Sequence, residues 1–275
     1  MITLPISKAQ KLVVFSDLDG TLIDHHTYEI QESEAALRTL AERAVPLVFC
    51  SSKTFAEQVY LQRQFGILQP FIFENGSAVA IPAGFFSTRS YTPDRLEKGY
   101  EIVVFAHADA IQLNAHLYLI KGVMGYQQAS DVELSAATGL SGTALGRARE
   151  RWFTETLLSS LDEQGLREVK NLLLPMGYSL SRGGRFFTVQ SALVDKGKAV
   201  LWMMELFRKA FGQATCFAAI GDSPNDVPML EVVDLPFLVQ KPDQTWAAVE
   251  IPHLTKVDSI GPNGFDLAVK LLLGE

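Results

Sequence analysis

A chain of 275 residues, 48% of them apolar, can bury one large core or two moderate ones. Its net charge of −7, with acidic and basic residues interspersed, excludes the basic surface of a nucleic-acid binder, and its apolar runs are too short to span a bilayer. The first residues lack the apolar stretch of a signal peptide, and Cys50 and Cys216 lie far apart in apolar runs. We therefore expect a cytoplasmic protein with reduced thiols and with no nucleic-acid or membrane partner.

Strands and helices alternate in the first third of the chain. KLVVF (11–15) and VPLVFC (45–50) are short β-rich runs, and the helical spacing of apolar residues predicts a helix over 32–43 between them. A second helix is predicted over 54–65, and a strand, a turn and a returning strand over 70–82. This alternation favours a parallel sheet covered by helices.

The pattern changes between about residues 84 and 189. A strand-like YEIVVFA and a helical HADAIQLNAHLYLI are followed by a polar stretch rich in Gly, Ser and Thr, and then by further helix and strand signals. We interpret 84–189 as an inserted α/β domain. Residues 1–83 and 190–275 would then form one core from the two ends of the chain.

The last third returns to the alternating pattern. Asp195 is placed as the N-cap of a long amphipathic helix over 196–211. Strands are predicted over 214–222 and 235–240.

Two pairs of carboxylates follow predicted strands directly. Asp17 and Asp19 follow the apolar start of VVFSDLDGTLI (13–23), and Asp222 and Asp226 lie in IGDSPND (220–226), just past another apolar run. Neighbouring carboxylates raise each other's pKa, so such pairs are costly unless a cation or a proton-transfer task holds them. The carboxyl ends of parallel strands share one crevice, and hard oxygen ligands suit Mg²⁺. Taken alone, Asp17 and Asp19 could instead cap the turn that leaves their strand.

Other cation and nucleotide sites fit less well. An EF-hand calcium loop is excluded because Gly20 is fourth rather than sixth and a strand precedes the loop. Neither GxGxxG nor a P-loop occurs, which disfavours a nucleotide-binding enzyme. Ser51, after the second strand, and Lys196, at a helix start, could hold a phosphate, although each also fits a turn or a solvated surface.

Together these elements carry a family resemblance. DLDGT (17–21), Ser51, Lys196 and GDSPND (221–226) resemble the four motifs of the haloacid dehalogenase superfamily of phosphatases, and the insertion resembles the large cap of its Cof-type subgroup. Five further segments are similar to the mannosyl-3-phosphoglycerate phosphatase family: CSSKT (50–54), ENG (74–76), TGL (138–140), RWFTE (151–155) and GGRFF (183–187). The resemblance implies a phosphoric monoester hydrolase with a Rossmann-like parallel-sheet core and an inserted α/β (C2-type) cap.

The resemblance also implies roles for the acidic residues. Asp17 would be the nucleophile that forms an aspartyl-phosphate, and Asp19 the general acid and base. Mg²⁺ would be held by the carboxylate of Asp17, the backbone carbonyl of Asp19 and the carboxylate of Asp222. Asp226 would orient these ligands without contacting the ion.

Binding of the substrate would divide between core and cap. Ser51, Lys196 and Asn225 would hold the phosphoryl oxygens. The expected partner is a small phosphorylated sugar-glycerate, whose carboxylate would be bound by Arg151 and Arg185 of the cap. Gly183-Gly184 would let the backbone beside Arg185 approach the ligand.

Several functional alternatives stay open. The substrate could be glucosyl-3-phosphoglycerate, or a broad range of sugar phosphates. A phosphomutase or phosphotransferase would use the same aspartyl-phosphate, and a non-catalytic phospholigand-binding protein would need a damaged motif. His25 and His26 are interpreted as an exposed loop pair, with lining of the site entrance as the alternative. No oligomeric state is indicated.

Overall fold

The computed structural model describes residues 10–24, 27–106, 109–120, 122–159 and 161–275, and His25 and His26 lie outside them. The strands in these ranges are β1 (Leu12–Ser16), β2 (Leu47–Cys50), β3 (Phe71–Phe73), β4 (Ala78–Pro82), β5 (Arg95–Glu97), β6 (Tyr100–Val104), β7 (Glu155–Leu157), β8 (Tyr178–Arg182), β9 (Phe187–Ser191), β10 (Cys216–Gly221), β11 (Leu235–Gln240) and β12 (Thr255–Ile260). The α-helices are α1 (Glu34–Glu42), α2 (Phe55–Phe65), α3 (Ala110–Leu117), α4 (Asp131–Thr138), α5 (Thr143–Arg149), α6 (Glu163–Leu173), α7 (Lys196–Phe211), α8 (Val227–Leu230) and α9 (Asn263–Leu273).

A large sheet built mostly of parallel strands organises the core. Its order is β12-β11-β10-β1-β2-β3-β4-β6-β5, and the six strands from β12 to β3 run parallel. The predicted α/β fold with a parallel-sheet core is therefore confirmed. The first and last thirds of the chain interleave in this sheet, because β1 lies between β2 and β10.

Helices cover both faces of the large sheet. Every residue of β1 is buried, as expected of a central strand with a continuous apolar sequence. One face packs against α1, α2 and α9, with Leu40 and Phe265 in its core, and the other packs against α7 and α8, with Val200 and Phe207. The predicted N-cap of α7 is also confirmed, since the Asp195 side chain accepts a hydrogen bond from the backbone N–H of Lys198 at 2.8 Å.

A second, three-stranded sheet with the order β7-β9-β8 is formed by the predicted insertion, except that β9 continues to Ser191, two residues past the predicted boundary at 189. The insertion as delimited from the sequence, 84–189, also contains β5 and β6, but these two strands extend the large sheet. β6 pairs antiparallel with β4 over its whole length, from Tyr100 opposite Pro82 to Val104 opposite Ala78. The domain boundaries at 84 and 189 stay a prediction, with the small sheet and α3 to α6 as the part outside the large sheet.

The cysteines behave as predicted. Cys50 ends β2 and Cys216 begins β10, with β1 between these strands, and both thiols are buried and free. Two strand spacings, roughly 9 to 10 Å, separate β2 from β10, and Cys216 is level with Leu12 whereas Cys50 lies beyond the pair Phe49–Ser16 at the other end of the strands, so the thiols are farther apart than a disulfide spans. In the described part of the chain no helix is both long and apolar enough to cross a membrane. The cytoplasmic location stays a prediction.

Candidate active site

Asp17 and Asp222 emerge from neighbouring strands at one edge of the large sheet. Ser16 is in register with Ile220, and the backbone N–H of Asp17 donates to the carbonyl of Ile220 at 3.0 Å. From β1 the chain proceeds outward through β2 to β3, and from β10 it proceeds the opposite way through β11 to β12. The two aspartates therefore lie at the point where the strand order reverses, which is where open α/β sheets bind ligands.

Three buried carboxylates converge at this point. Asp17, Asp222 and Asp226 each contribute an oxygen atom, and these atoms lie within 4.8 Å of one another. Burial raises the pKa of Asp17 to about 7, with Lys196 opposing the rise and Asp226 adding to it. Burial, followed by the charges of Asp226 and Asp17, also raises the pKa of Asp222 well above its ordinary value.

The residues of this cluster fit a bound Mg²⁺. The Oδ1 atom of Asp222 is buried and has no hydrogen-bond partner among the described residues. A buried, unpaired carboxylate oxygen is costly, and the surrounding donors are all hard oxygens. A divalent cation would satisfy that oxygen and offset the repulsion between the carboxylates.

The ammonium group of Lys196 contributes a positive charge to the carboxylate cluster. It is the first residue of α7 and only 1% exposed, and its Nζ atom lies 2.6 Å from Asp17 Oδ1 and 2.7 Å from Asp226 Oδ1. Burial alone would lower the pKa of Lys196, but attraction to Asp17 and Asp226 raises it above its ordinary value. The ammonium group therefore stays charged and fixes one oxygen of each carboxylate.

Asp226 also shapes the loop that follows β10. Its Oδ2 atom accepts hydrogen bonds from the backbone N–H groups of Asp222 and Ser223, both at 3.0 Å. A Cβ atom at Gly221 would lie 2.6 Å from the Cβ of Asp226, so this close approach requires glycine. These contacts match the predicted orienting role of Asp226, which stays a prediction. In the same loop, Asn225 lines a cavity between the core and the insertion.

Asp19 faces a different partner, one that the sequence analysis did not assign. Its Oδ1 atom lies 2.9 Å from the Nζ of Lys53, which is 3.7 Å from Glu57 and lies over the ring of Tyr28. The Asp19 carboxylate does not belong to the three-carboxylate cluster. The expectation that Asp19 would offer a metal its backbone carbonyl and use its side chain for proton transfer stays a prediction.

Ser51 is buried at the end of β2. Its Oγ atom accepts a hydrogen bond from the backbone N–H of Lys53 at 3.2 Å. Ser51 and Lys196 are absent from the lining of the adjacent cavity, as far as the described residues show, whereas Ser52 and Lys53 belong to it. The phosphate-binding roles of Ser51 and Lys196 stay predictions.

Core and insertion together line a cavity that is partly open to solvent. Its lining includes five of the residues that the sequence analysis selected: Asp17, Asp19, Asn225, Arg151 and Arg185. Gly183 and Gly184 line it as well. The structure thus brings the two arginines of the insertion to the same cavity as the proposed nucleophile.

The two arginines have different surroundings. Arg185 donates to the hydroxyl of Tyr28 at 2.6 Å and to the carbonyl of Thr138 at 3.4 Å. Arg151 donates to the carbonyl of Ser52 at 3.2 Å and to the hydroxyl of Thr154 at 2.8 Å. Neither forms an ion pair with a carboxylate of the described residues. Arg185 therefore has charge available for an anionic ligand, whereas the charge of Arg151 also opposes the rise that burial causes in the pKa of Glu74 and of Glu155.

Sequence reasoning missed three residues of this region. Lys53 stands in the quoted segment CSSKT, and Glu74 in the quoted segment ENG, so the resemblance marked both segments without giving either residue a role. No motif or spacing in the sequence pointed to Tyr28. Its backbone has a φ of +59°, and its hydroxyl joins Arg185 to Thr138, a contact between residues far apart in sequence.

Comparison with known proteins gives the same family over most of the chain. A family model described as haloacid dehalogenase-like hydrolase matches residues 14–248. The chain is 36% identical over 273 residues to a glucosyl-3-phosphoglycerate/mannosyl-3-phosphoglycerate phosphatase of Methanococcoides burtonii, covering 96% of this chain and 98% of the relative. It is 34% identical over 230 residues to a mannosyl-3-phosphoglycerate phosphatase of Pyrococcus horikoshii, covering 82% and 90%.

The fold also has relatives among solved structures. A haloacid dehalogenase-like hydrolase from Bacteroides thetaiotaomicron superposes with a TM-score of 0.64 at 16% identity, covering 96% of this chain and 99% of that one. The carboxylates that meet at the strand-order reversal are those of the motifs that the resemblance identified in the sequence. This chain belongs to the haloacid dehalogenase-like hydrolase family and is a phosphoric monoester hydrolase.

Proposed function

We propose that this phosphatase hydrolyses mannosyl-3-phosphoglycerate to mannosylglycerate and phosphate, with Mg²⁺ as its cofactor. The observation that carries the proposal is the cavity shared by the Asp17 carboxylate and two arginines that form no ion pair within the described residues. A substrate that joins a phosphate to a glycerate carboxylate matches this arrangement of a nucleophile and separate cations. The names of the relatives in Methanococcoides burtonii and Pyrococcus horikoshii support the same substrate class.

The chemistry begins at Asp17. Lys196 holds Oδ1 of Asp17, which leaves Oδ2 to attack phosphorus and form an aspartyl-phosphate as the bond from phosphorus to the substrate oxygen breaks. Asp19 protonates the departing alkoxide. It then takes a proton from the water that attacks the aspartyl-phosphate, which releases phosphate and regenerates Asp17.

Other residues hold the groups that react. Ser51, Lys196 and Asn225 are proposed to bind the phosphoryl oxygens and to stabilise the charge of the transfer. The carboxylates of Asp17 and Asp222 and the backbone carbonyl of Asp19 would hold Mg²⁺. When bound, the cation neutralises negative charge on the transferring phosphoryl group.

The identity of the sugar is the finer part of the proposal. The Methanococcoides burtonii relative is named for both glucosyl and mannosyl substrates, and the Pyrococcus horikoshii relative for the mannosyl substrate alone. Glucosyl-3-phosphoglycerate is therefore the second candidate, ahead of a broad range of sugar phosphates.

A phosphate-release assay tests the proposal. The purified enzyme with Mg²⁺ is offered mannosyl-3-phosphoglycerate, glucosyl-3-phosphoglycerate, mannose 6-phosphate and p-nitrophenyl phosphate. We expect the highest kcat/KM for one of the two glycosyl-phosphoglycerates, and no turnover in excess chelator. Equal kcat/KM for all four would refute the substrate, activity in chelator would refute the metal, and transfer of phosphate to an added sugar would indicate a phosphotransferase.

A further inference from the structure

The turn between β3 and β4 has contacts that a simple hairpin turn does not need. Glu74, Asn75 and Gly76 are all buried. Glu74 and Asn75 adopt left-handed backbone conformations, with φ of +49° and +57°, which are unfavourable for residues other than glycine. A Cβ atom at Gly76 would lie 2.1 Å from the carbonyl oxygen of Asp195, so the turn packs directly against the start of α7.

The Glu74 carboxylate binds one segment of the insertion. Oε1 accepts from the backbone N–H of Trp152 at 2.8 Å, and Oε2 accepts from the N–H of Phe153 at 2.9 Å and from the N–H and the hydroxyl of Thr154, both at 2.8 Å. Four donors use the capacity of one ionised carboxylate. The ring of Trp152 also stacks on Phe55 of α2 at 5.0 Å. The chain itself connects core and insertion at two points. The segment 152–154 adds noncovalent contacts that also hold the insertion on the core.

One of these contacts leads to the cavity. The hydroxyl of Thr154 donates to Glu74 Oε2 and accepts a hydrogen bond from Nη1 of Arg151. Since a hydroxyl carries one proton, its bond to Glu74 turns the oxygen lone pairs toward the guanidinium. Arg151 lines the cavity, and its Nε atom is buried without a hydrogen-bond partner in the part of the chain that the structure covers. Arg151 therefore reaches the cavity from a position that Thr154 and Glu74 help to fix.

We propose that Glu74 is a positioning residue that acts through Thr154 to aim Arg151 at the part of the substrate beyond the phosphate. The proposal rests on the proposed function, because it assigns Arg151 to the glycosyl-glycerate portion of the substrate. Glu74 does not line the cavity, so its effect on recognition passes through the hydroxyl of Thr154 and the Arg151 side chain.

Substitutions of Thr154 separate the proposed positioning role from a purely structural one. Thr154→Val removes the hydroxyl and nearly preserves the shape, whereas Thr154→Ser keeps the hydroxyl. We expect Thr154→Val to raise KM for the glycosyl-phosphoglycerate about tenfold, the scale of one charge-assisted hydrogen bond, and to change kcat/KM for p-nitrophenyl phosphate less than about twofold. Thr154→Ser should stay within about twofold of wild type on both substrates.

Glu74→Gln tests the carboxylate itself. An amide offers one acceptor oxygen and turns its NH₂ group toward backbone N–H donors, so we expect the same KM effect as for Thr154→Val. Glu42→Gln, an exposed residue at the end of α1, is the matched control and should leave both substrates unchanged. If Glu74→Gln fails to fold, the pair of Thr154 variants carries the test.

A double-mutant cycle decides whether the effect passes through Arg151. In an Arg151→Met background, Thr154→Val should produce no further rise in KM, since the group it positions is gone. Multiplicative losses from the two substitutions, or equal losses on p-nitrophenyl phosphate, would overturn the proposal.

Failure of the proposed function would look different. The wild type would then hydrolyse p-nitrophenyl phosphate but neither glycosyl-phosphoglycerate. The same cycle is in that case measured on the Ki of 3-phosphoglycerate against p-nitrophenyl phosphate, because this probe carries the same carboxylate. Non-additive effects on Ki support the positioning role, and independent effects refute it.

Discussion

Arg185→Ala is the perturbation that most directly tests recognition of the glycerate carboxylate. The guanidinium of Arg185 lies at the cavity, held by the hydroxyl of Tyr28 and the carbonyl of Thr138, and no described carboxylate neutralises it. Removing a charge-assisted contact of this kind costs about 1.5 to 3 kcal/mol. At 1.36 kcal/mol per factor of ten, kcat/KM for the glycosyl-phosphoglycerate should fall on the order of 10 to 100-fold.

The assay compares two substrates on each variant. p-Nitrophenyl phosphate has a phosphate but no carboxylate, so its hydrolysis by Arg185→Ala should change much less. Arg185→Lys keeps the charge and loses the planar fork, and we expect an intermediate loss on the glycosyl substrate. Arg182→Ala is the matched control, because Arg182 ends β8 close by, lies over the ring of Phe187 and does not line the cavity.

Equal losses on both substrates would refute the reasoning. Arg185 would then support the phosphate site or the fold, and its assignment to the carboxylate would have to be withdrawn. A loss in Arg182→Ala as large as that in Arg185→Ala would show that the edge of the small sheet, rather than one guanidinium, was disturbed.

Three further predictions concern the core. Asp17→Asn should keep the fold and lower kcat by about 10³-fold or more, because an amide is no nucleophile; turnover near the wild-type rate would exclude the covalent mechanism. Asp222→Ala should raise the Mg²⁺ concentration needed for half-maximal activity by about tenfold or more, and an unchanged Mg²⁺ titration would remove Asp222 from the metal site. Lys53→Met should lower kcat on both substrates by a similar factor, roughly tenfold, because Lys53 orients the proposed general acid. A loss confined to the glycosyl substrate would instead make Lys53 a substrate contact.

The sequence allowed prediction of those parts of the site that depend on the ends of strands. Asp17 and Asp222 each follow an apolar run, and the rule that parallel strands present their carboxyl ends at one edge predicts that the residues meet. Asp195 as the N-cap of α7 follows from local chemistry in the same way. These predictions need only contacts within one element or between adjacent parallel strands.

Contacts between core and insertion required the structure. Strand β6 was predicted as a strand, but its pairing with β4 was not, because a run of apolar residues does not specify its partner. Tyr28 and Arg185 are 157 residues apart and meet through one hydroxyl. Nothing in the periodicity of either segment indicates that contact.

The two arginines that the sequence analysis assigned to the same carboxylate differ in the contacts that fix their positions. Arg151 is tied to the core through the carbonyl of Ser52 and through a hydroxyl that Glu74 holds, so its position follows the large sheet. Arg185 lies between β8 and β9 and contacts the core only through Tyr28 among the described hydrogen bonds. A ligand anion placed between them would therefore be held from one side by the core and from the other by the small sheet. Because the proposed phosphate ligands all belong to the core, we expect discrimination among phosphate esters to depend on this second set of contacts.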